Sequence, residues 1–249
     1  MQTTMEERFG KIKKILFFII GFVVMLGTAN PVQGADFLTE DEKAYIVNRP
    51  VLTAASISGA GPITFIDSKG EAQGIGKAVL DEISAKTGLT FVYTLYNSLE
   101  ELLASNADII YAIPPNYAPE NMNLSQPFLK SETILYINSS LESENLDDKI
   151  YAAVEGSQLP EGIKEENSIY FSTREESLET LNKGHADYGY GNAYSVMYYS
   201  IKNDYKDLVT IPKGKESREY CIGLLNKDDI LLSILNKSKT PLIVQKCNL

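Results

Sequence analysis

Two stretches of eleven residues, 79 positions apart, constrain the fold of this chain more than any other feature. Residues 98–108 and 177–187 carry Ser, Leu, Glu, Leu, Ala and Asp at equal positions. Each pattern predicts a short helix that leads through Ala-Asp into a strand, which starts at Ile109 in one case and at Tyr188 in the other. The offset is too long for a solenoid repeat. The repeat therefore predicts two lobes built on one plan.

Helices and strands alternate in both halves, which is typical of α/β lobes that each contain a mixed sheet flanked by helices. Two apolar segments, 133–137 and 219–225, are predicted to cross between the lobes. Two crossings make a hinge. The predicted first lobe consists of residues 35–137 plus 213–249, and the predicted second lobe of residues 138–212.

The first 34 residues have the layout of a secretory signal. Four basic side chains precede an apolar run at 15–29, and Val32 and Gly34 fit the small positions of a cleavage site before Ala35. The run is shorter than the roughly 20 residues of a membrane-spanning helix. An uncleaved anchor remains the alternative to a cleaved signal. Both readings predict that the remainder is exported.

The charge of the exported part excludes several classes of function. Without residues 1–34 the chain carries 19 basic and 31 acidic side chains, a net charge of −12. Such a surface repels phosphate backbones and anionic lipids, so neither nucleic acid nor a membrane surface is expected as a partner. The chain has a single histidine, His185, and no zinc-binding motif. We therefore predict no cofactor, no metal site and no Ser-His-Asp triad.

The cysteines do not indicate a lipoprotein. Only Cys221 and Cys247 occur, and neither follows the apolar run directly. A disulfide between them is compatible with export, but the sequence does not establish that their α-carbons lie close enough. Paired and free thiols both remain open.

The order of these segments resembles bacterial extracellular solute-binding protein family 3, whose members have the type II periplasmic-binding-protein fold. The matching stretches are 51–65, 74–88, 107–110, 119–128, 155–157, 184–187 and 220–223. They span about residues 40–238. The opening, Leu38 to Lys43 followed by Asn48-Arg49-Pro50, is similar to the lead-in of family members that serve as input domains of membrane histidine kinases and diguanylate cyclases.

The resemblance implies a receptor that captures a small molecule between two lobes joined by two hinge strands. Its partner would be a membrane sensor kinase, a diguanylate cyclase or an ABC permease. Family members hold amino acids through an arginine after a Thr-Pro-Glu turn and through an acidic residue at the end of a second-lobe strand. Asn121 and Asn192 stand at these positions here. Since an amide cannot replace a charged bidentate pair, the resemblance implies a neutral or aromatic ligand.

Candidate ligand contacts follow from the rule that such ligands lie at the carboxyl ends of the strands. From the first lobe they are Gly61, Pro62, Phe65, Tyr111, Ala112, Ile113 and Asn121; from the second lobe they are Gly156, Ser157, Tyr190 and Asn192. Gly156-Ser157 is predicted to open a helix whose free N–H groups suit an anionic or strongly polar group.

Each of these candidates also has a purely structural interpretation. Phe65 can be a core residue, Ser157 can be a helix cap alone, and Asn192 can cap a helix that starts at Ala193. Three large side chains at 194, 198 and 201 have helical spacing. Tyr194, Tyr198 and Ile201 are therefore predicted to form a buried stripe.

An enzyme derived from this fold, similar to dehydratases or to accessories of cell-wall hydrolases, is the alternative function. Asp108 and Asp187 are the candidate catalytic carboxylates because they recur in the repeat. Each is predicted to lie at the amino end of its strand, opposite the crevice, where Asp usually accepts hydrogen bonds from loop N–H groups. The sequence therefore predicts a binding protein and not an enzyme.

Overall fold

Ten strands form one hydrogen-bonded sheet, and its two halves meet at a pair of crossing strands, in the computed structural model, which describes residues 37–141, 146–212 and 217–239. The helices are α1 (Glu40–Asn48), α2 (Ile75–Thr87), α3 (Leu99–Leu103), α4 (Arg174–Asn182), α5 (Ala193–Lys202) and α6 (Asp229–Ser238), with single 3-10 turns at Pro115–Tyr117 and Glu165–Asn167. The strands are β1 (Val51–Ile57), β2 (Phe65–Ile66), β3 (Ala72–Gln73), β4 (Thr90–Tyr96), β5 (Ile109–Ile113), β6 (Asn123–Leu124), β7 (Leu129–Asn138), β8 (Tyr151–Val154), β9 (Ser168–Phe171), β10 (Tyr188–Asn192), β11 (Leu208–Ile211) and β12 (Ser217–Leu224). The predicted signal segment and Cys247 lie outside the described residues.

The strand pairing divides the described residues into two lobes. In the first lobe, β1 lies between β4 and β5, β12 pairs with β5, and β6 pairs with β12. In the second lobe, β7 lies between β10 and β11, and β8 and β9 continue from β10. A small hairpin of β2 and β3 belongs to the first lobe. The predicted two-lobe α/β fold is confirmed.

The lobes are joined because two strands change partners along their length. Residues 217–220 of β12 pair antiparallel with residues 129–132 of β7. Beyond this short ladder, Cys221 to Gly223 pairs with β5 across an irregular register, whereas β7 continues into the second lobe. The hydrogen-bonded path is therefore continuous through the hinge, and each lobe contains one half of the sheet.

The hinge ladder begins four residues earlier on β7 than the sequence predicts. The predicted crossing at 133–137 instead pairs with β10 and β11 inside the second lobe. The apolar character of that segment reflects burial on both faces in a central strand. The returning crossing, predicted at 219–225, is displaced as well: the ladder is formed by residues 217–220 of β12, and Cys221 to Gly223 already pairs with β5 in the first lobe.

The repeat in the sequence corresponds to a repeated hydrogen bond. The carboxylate of Asp108 accepts the backbone N–H of Thr53, on the neighbouring β1, at 2.7 Å. The carboxylate of Asp187 accepts the N–H of Ile150, just before the neighbouring β8, also at 2.7 Å. Both aspartates thus lie at the amino end of their strands and hold the start of a parallel neighbour. The predicted structural role of the pair is confirmed.

The helices of the two repeats start with the same cap. Ser98 and Thr173 each accept, through the side-chain oxygen, the N–H of the glutamate three residues later, at 3.1 and 3.2 Å. In both helices that glutamate bonds back to the residue before the cap instead of the cap itself. Ser98 with Glu101 and Thr173 with Glu176 have the spacing of a capping box, so the sequence marks the start of both helices.

Glu42 fastens α1 to α6. Its side chain is only 4% exposed, and its carboxylate accepts hydrogen bonds from Lys237 at 2.8 Å, from Ser233 at 2.6 Å and from the N–H of Thr39 at 2.8 Å. Burial by itself raises the pKa of this carboxyl, but the bonds from Lys237, Ser233 and Thr39 outweigh it and lower the pKa to about 2. The ionised form is the one that the fold stabilises.

We expect the Glu42→Gln variant to lose about 2 kcal/mol of unfolding free energy at pH 7, because the buried amide leaves Lys237 without its charge partner. Since the folded-state pKa lies below the ordinary 4.5, this stability is fully present above pH 4.5 and is lost as the pH falls toward 2. Urea unfolding from pH 7 down to pH 3 measures it. The control, Glu40→Gln, removes only an exposed pair with Lys43 and should change stability by less than about 0.5 kcal/mol. Equal losses in both variants would contradict the fastening role.

One predicted helix does not form. The chain makes a turn at Gly156-Ser157, in which the N–H of Ser157 donates to the carbonyl of Val154 at 3.0 Å, and no helix starts there. Pro160 restricts the preceding residue to extended conformations, which prevents a helix from continuing through this segment. The predicted dipole site for an anionic group is therefore wrong.

The buried stripe of α5 is displaced by one residue from the prediction. The helix buries Ser195, Val196 and Tyr199, whereas Ile201 is 77% exposed. Spacing alone gives the period of the stripe but not which residue starts it, and one residue rotates the face by about 100°. Tyr194 and Tyr198 are consequently half-buried.

The described thiol lies in the first lobe. Cys221 is buried in β12, and burial raises its pKa to about 11, with a smaller contribution from Glu219. Pairing with Cys247 remains a prediction. None of the helices within the described ranges is both long and apolar enough to cross a bilayer.

Candidate functional site: the crevice between the lobes

The lobes touch at one edge of the crevice through two neighbouring tyrosines of α5. The hydroxyl of Tyr199, on α5 of the second lobe, accepts the N–H of Gly61 at 3.2 Å and donates to the carbonyl of Gly59 at 3.2 Å. Both glycines belong to the loop after β1 in the first lobe. Beside this contact, the rings of Phe65 and Tyr198 lie 5.8 Å apart between centroids. A hydrogen-bonded and aromatic contact therefore closes this edge.

Gly61 is required for the close approach. A Cβ atom at this position would lie 2.8 Å from a ring carbon of Tyr198 and 3.1 Å from the hydroxyl oxygen of Tyr199. Two predicted contacts, Gly61 and Phe65, thus lie at the crevice edge and face the second lobe. Phe65 is half-buried and packs across the gap, not in the core of its own lobe.

The start of α2 holds this loop in place. The N–H groups of Ile75 and Gly76, which have no partner inside the helix, donate to the carbonyls of Pro62 at 2.9 Å and of Ile63 at 3.0 Å. Gly74 makes the approach possible with a φ of 119°. The first turn of α2 therefore anchors the loop that carries Gly61.

The predicted contacts at the end of β5 are buried in the first lobe. The ring of Tyr111 is fully buried beside Gly76 of α2, and its carbonyl accepts the hydroxyl of Ser56 at 2.7 Å. Ala112 has a left-handed backbone with a φ of 58°, and Ile113 is buried. Tyr111 is thus a core residue of the first lobe by its side chain.

Asn192 has the structural role that its position before α5 suggests. Its side-chain oxygen accepts the N–H groups of Tyr194 at 2.9 Å and Ser195 at 3.3 Å, and its amide nitrogen donates to the hydroxyl of Tyr220 at 2.7 Å. It is 8% exposed. Asn192 therefore connects the start of α5 to the hinge strand, and a contact with a ligand stays a prediction.

The remaining predicted contacts do not gather at one place. Tyr190 packs against the rings of Tyr151 and Tyr188 in a cluster of the second lobe. Asn121, at the position of the family arginine, is exposed in the first lobe. Gly156 and Ser157 form the turn after β8.

The structure groups one predicted contact, Asn192, with three polar residues that the sequence interpretation missed. Thr133, Asn192, Arg218 and Tyr220 form what we call the hinge cluster. Thr133 is the register partner of Asn192, and on β12 Arg218 and Tyr220 are two residues apart and share a face. Their partners on β7, Ser131 and Leu129, share that face with Thr133. All four side chains therefore project from one face of the hinge.

Two atoms of the hinge cluster are buried without a hydrogen-bond partner among the described residues. They are the hydroxyl oxygen of Thr133, a residue that is 6% exposed, and Nε of Arg218. The guanidinium of Arg218 lies 5.7 Å from the centroid of the Tyr117 ring. Burial raises the pKa of Tyr220, while the positive charges of Arg218 and Arg174 and the bond from Asn192 act against this rise.

Arg174 is a second positive charge near the hinge, on α4 of the second lobe. It is the first residue of α4, directly beyond the carboxyl end of β9, and its guanidinium donates to the hydroxyl of Tyr136. The guanidinium carbon lies 3.3 Å from the position that a Cβ on Gly191 would occupy. Neighbouring residues of a strand face opposite sides of the sheet, so Arg174, beside Gly191, lies on the other side of β10 from Asn192. Its positive charge still reaches the hinge cluster, where it acts against the rise in the pKa of Tyr220.

Two lobes that share a pair of crossing strands and meet across a crevice define a periplasmic-binding-protein-like fold, and solved structures of this class match the chain. The periplasmic VFT2 domain of BvgS from Bordetella pertussis matches 81% of the chain and 92% of that domain, with a TM-score of 0.68 and 22% identity. The arginine-bound form of ArgBP from T. maritima matches 78% of the chain and 97% of that protein, with a TM-score of 0.63 and 19% identity.

Sequence comparison leads to the same kind of protein. Virulence sensor protein BvgS of Bordetella bronchiseptica is 23% identical over 234 residues, which cover 88% of this chain and 18% of that protein. The chain thus spans about a fifth of the length of this curated relative. No protein-family model matches the chain. The resemblance to solute-binding proteins and sensory input domains that the sequence indicates is confirmed.

Proposed function

We propose that the chain is an extracytoplasmic ligand-binding receptor module that captures a small molecule between its two lobes and releases it chemically unchanged. The contact of Tyr199 with Gly59 and Gly61 carries this proposal, because it joins two lobes that are otherwise linked through a narrow hinge. Such a contact can form and break as the lobes move, and a ligand that bridges them favours the closed form. The similarity to a sensor domain and to an arginine-binding protein supports a receptor role.

Sensing is favoured over transport within this proposal. The curated relative is a virulence sensor protein, and the VFT2 domain of BvgS from Bordetella pertussis is matched over 92% of its length. The partner would then be a membrane sensor kinase, with a diguanylate cyclase or an ABC permease as alternatives. Export through the N-terminal segment belongs to the same proposal, and so does the division into two lobes, with the change of lobe on β7 placed at residues 129–132 instead of 137/138.

A screen of small metabolites by thermal unfolding tests the receptor role. A true ligand at about 100 times its Kd stabilises the folded chain by about 2.7 kcal/mol, which raises Tm by about 5–10 °C for a chain of this size. The bound compound should be recovered unchanged after denaturation. A screen in which no compound raises Tm, or one in which the recovered compound has been converted, would contradict the proposal.

We expect the Asn192→Ala variant to bind such a ligand several-fold more weakly, because the start of α5 and the hydroxyl of Tyr220 lose their shared support. The loss of the helix cap should also lower the unfolding free energy by about 1 kcal/mol. Titration calorimetry of the ligand measures the first effect, and urea unfolding the second. The Asn192→Asp variant keeps the cap acceptor and serves as the control for stability. An unchanged affinity in Asn192→Ala would remove this residue from the site.

A further inference from the structure

The hinge cluster contains polar groups that the fold leaves unused. A buried donor or acceptor without a partner costs the folded state the lost hydration of that group, and native structures contain few of them. Among the described residues only four buried side-chain atoms lack a partner, and two of them, Thr133 Oγ1 and Arg218 Nε, belong to the hinge cluster. Both face the same side of the hinge ladder. Their concentration in one place indicates that they serve a bound group.

The charges around the hinge cluster indicate the sign of the charge on the bound group. Within the described ranges, neither Arg218 nor Arg174 has a carboxylate within 4 Å, although acidic side chains outnumber basic ones, 33 to 23. Arg49 shows the contrast, since it contacts the carboxylates of both Asp108 and Asp228. Two arginines left without acidic partners in an acidic protein leave room for a negative ligand.

We propose that the hinge cluster binds an oxyanion of the ligand, a carboxylate or a phosphate, through Arg218 Nε–H and the Thr133 hydroxyl, while the positive charge of Arg174 acts at longer range from the other side of β10. This inference rests on the proposed receptor function and adds the class of its ligand. The guanidinium fork matches the geometry of a planar or tetrahedral oxyanion. Asn121 is neutral at the position where family members have an arginine. In this chain the positive charge comes from the hinge instead. The ligand is therefore an anion and not the neutral molecule that Asn121 and Asn192 suggest.

Matched probes test the sign of the ligand. Thermal unfolding of the purified chain is compared in benzoate and benzamide, in succinate and succinamide, and in inorganic phosphate, with sodium chloride holding the ionic strength constant. We expect at least one anion to raise Tm by several degrees more than its neutral counterpart or, for phosphate, than the chloride control. The carboxylate and phosphate arms distinguish the two sources of the oxyanion. Anions that do no better than these references would overturn the proposal.

Two variants test the residues, and a third serves as control. Arg218→Gln should weaken binding of the effective anion at least 10-fold. Thr133→Val keeps the shape of the side chain without the hydroxyl. It should raise the Tm of the anion-free chain by a few degrees and also weaken the binding of the anion. Lys130→Gln removes one positive charge from the exposed opposite face of the same ladder and should leave binding unchanged. Equal losses in Lys130→Gln and Arg218→Gln would show a general charge effect and overturn the assignment.

The receptor function and this inference fail in different ways. A neutral compound that raises Tm and binds the Arg218→Gln variant as tightly as the unaltered chain would overturn the oxyanion site and leave the receptor function standing. A complete absence of binding, by anions and by the neutral library alike, would overturn both. Weaker binding of the anion by Arg218→Gln and Thr133→Val, with unchanged binding by Lys130→Gln, supports both the receptor function and the oxyanion site.

Discussion

Replacing Gly74 with alanine should lower the unfolding free energy by more than about 3 kcal/mol. Gly74 has a φ of 119° and a ψ of 178°, a conformation open almost only to glycine, and the strain costs other residues about 1–3 kcal/mol. In addition, a Cβ atom would lie 2.4 Å from the carbonyl oxygen of Ile63. That oxygen cannot move aside freely, because it accepts the N–H of Gly76. Strain and clash therefore add.

Urea unfolding of Gly74→Ala beside Gly70→Ala separates these two causes. Gly70 has a φ of 82° but nothing within 4 Å of its Cβ position, so alanine there brings strain alone and should cost about 1 kcal/mol. A Gly74→Ala variant as stable as Gly70→Ala would contradict the described anchoring of the loop by α2. A larger loss would also release Gly61 and Phe65 from the crevice edge.

Removing the hydroxyl of Tyr199 should open the crevice. The Tyr199→Phe variant keeps the ring in the core of the second lobe but leaves the N–H of Gly61 and the carbonyl of Gly59 without their partner. Such a loss costs about 1–3 kcal/mol if both groups stay buried. If the lobes separate, water can hydrogen-bond to both groups. We therefore expect the variant to spend more time with its lobes apart, which reduces the loss of stability. Small-angle X-ray scattering should then show a larger radius of gyration than that of the unaltered chain.

Tyr198 provides the control for this variant. It precedes Tyr199 on α5 and contacts Phe65 through its ring, while its hydroxyl makes no hydrogen bond within the described part of the chain. Tyr198→Phe should therefore leave the radius of gyration unchanged and alter stability by less than about 0.5 kcal/mol. If both variants scatter like the unaltered chain, the Tyr199 hydroxyl does not hold the lobes together.

The sequence predicted those parts of the fold that depend on local patterns. Asp108 and Asp187 were interpretable because a repeated Ala-Asp before an apolar strand places each carboxylate at a known end of that strand. The caps at Ser98 and Thr173 were likewise local. Each of these features depends on residues within one helix turn or on the first pairing of a strand.

The hinge cluster could not be predicted from local sequence patterns. Thr133 and Arg218 are 85 positions apart, and they share a face only because β7 and β12 pair in one particular register before each changes partner. A shift of one residue would turn every side chain of the ladder to the other face. The rule that ligands lie at strand ends directed attention to loops such as Gly156-Ser157, and so away from the hinge.

Hydrogen exchange with and without a compound selected by thermal unfolding tests the central claim, that a ligand is held between the lobes. We expect slower exchange in three segments that surround the crevice: the loop at 58–65, helix α5 and the paired hinge residues 129–133 and 217–220. Exchange in α1, which Glu42 fastens to α6 away from these segments, should stay the same. Protection confined to α1 and α6, with the loop, α5 and the hinge unchanged, would contradict the account.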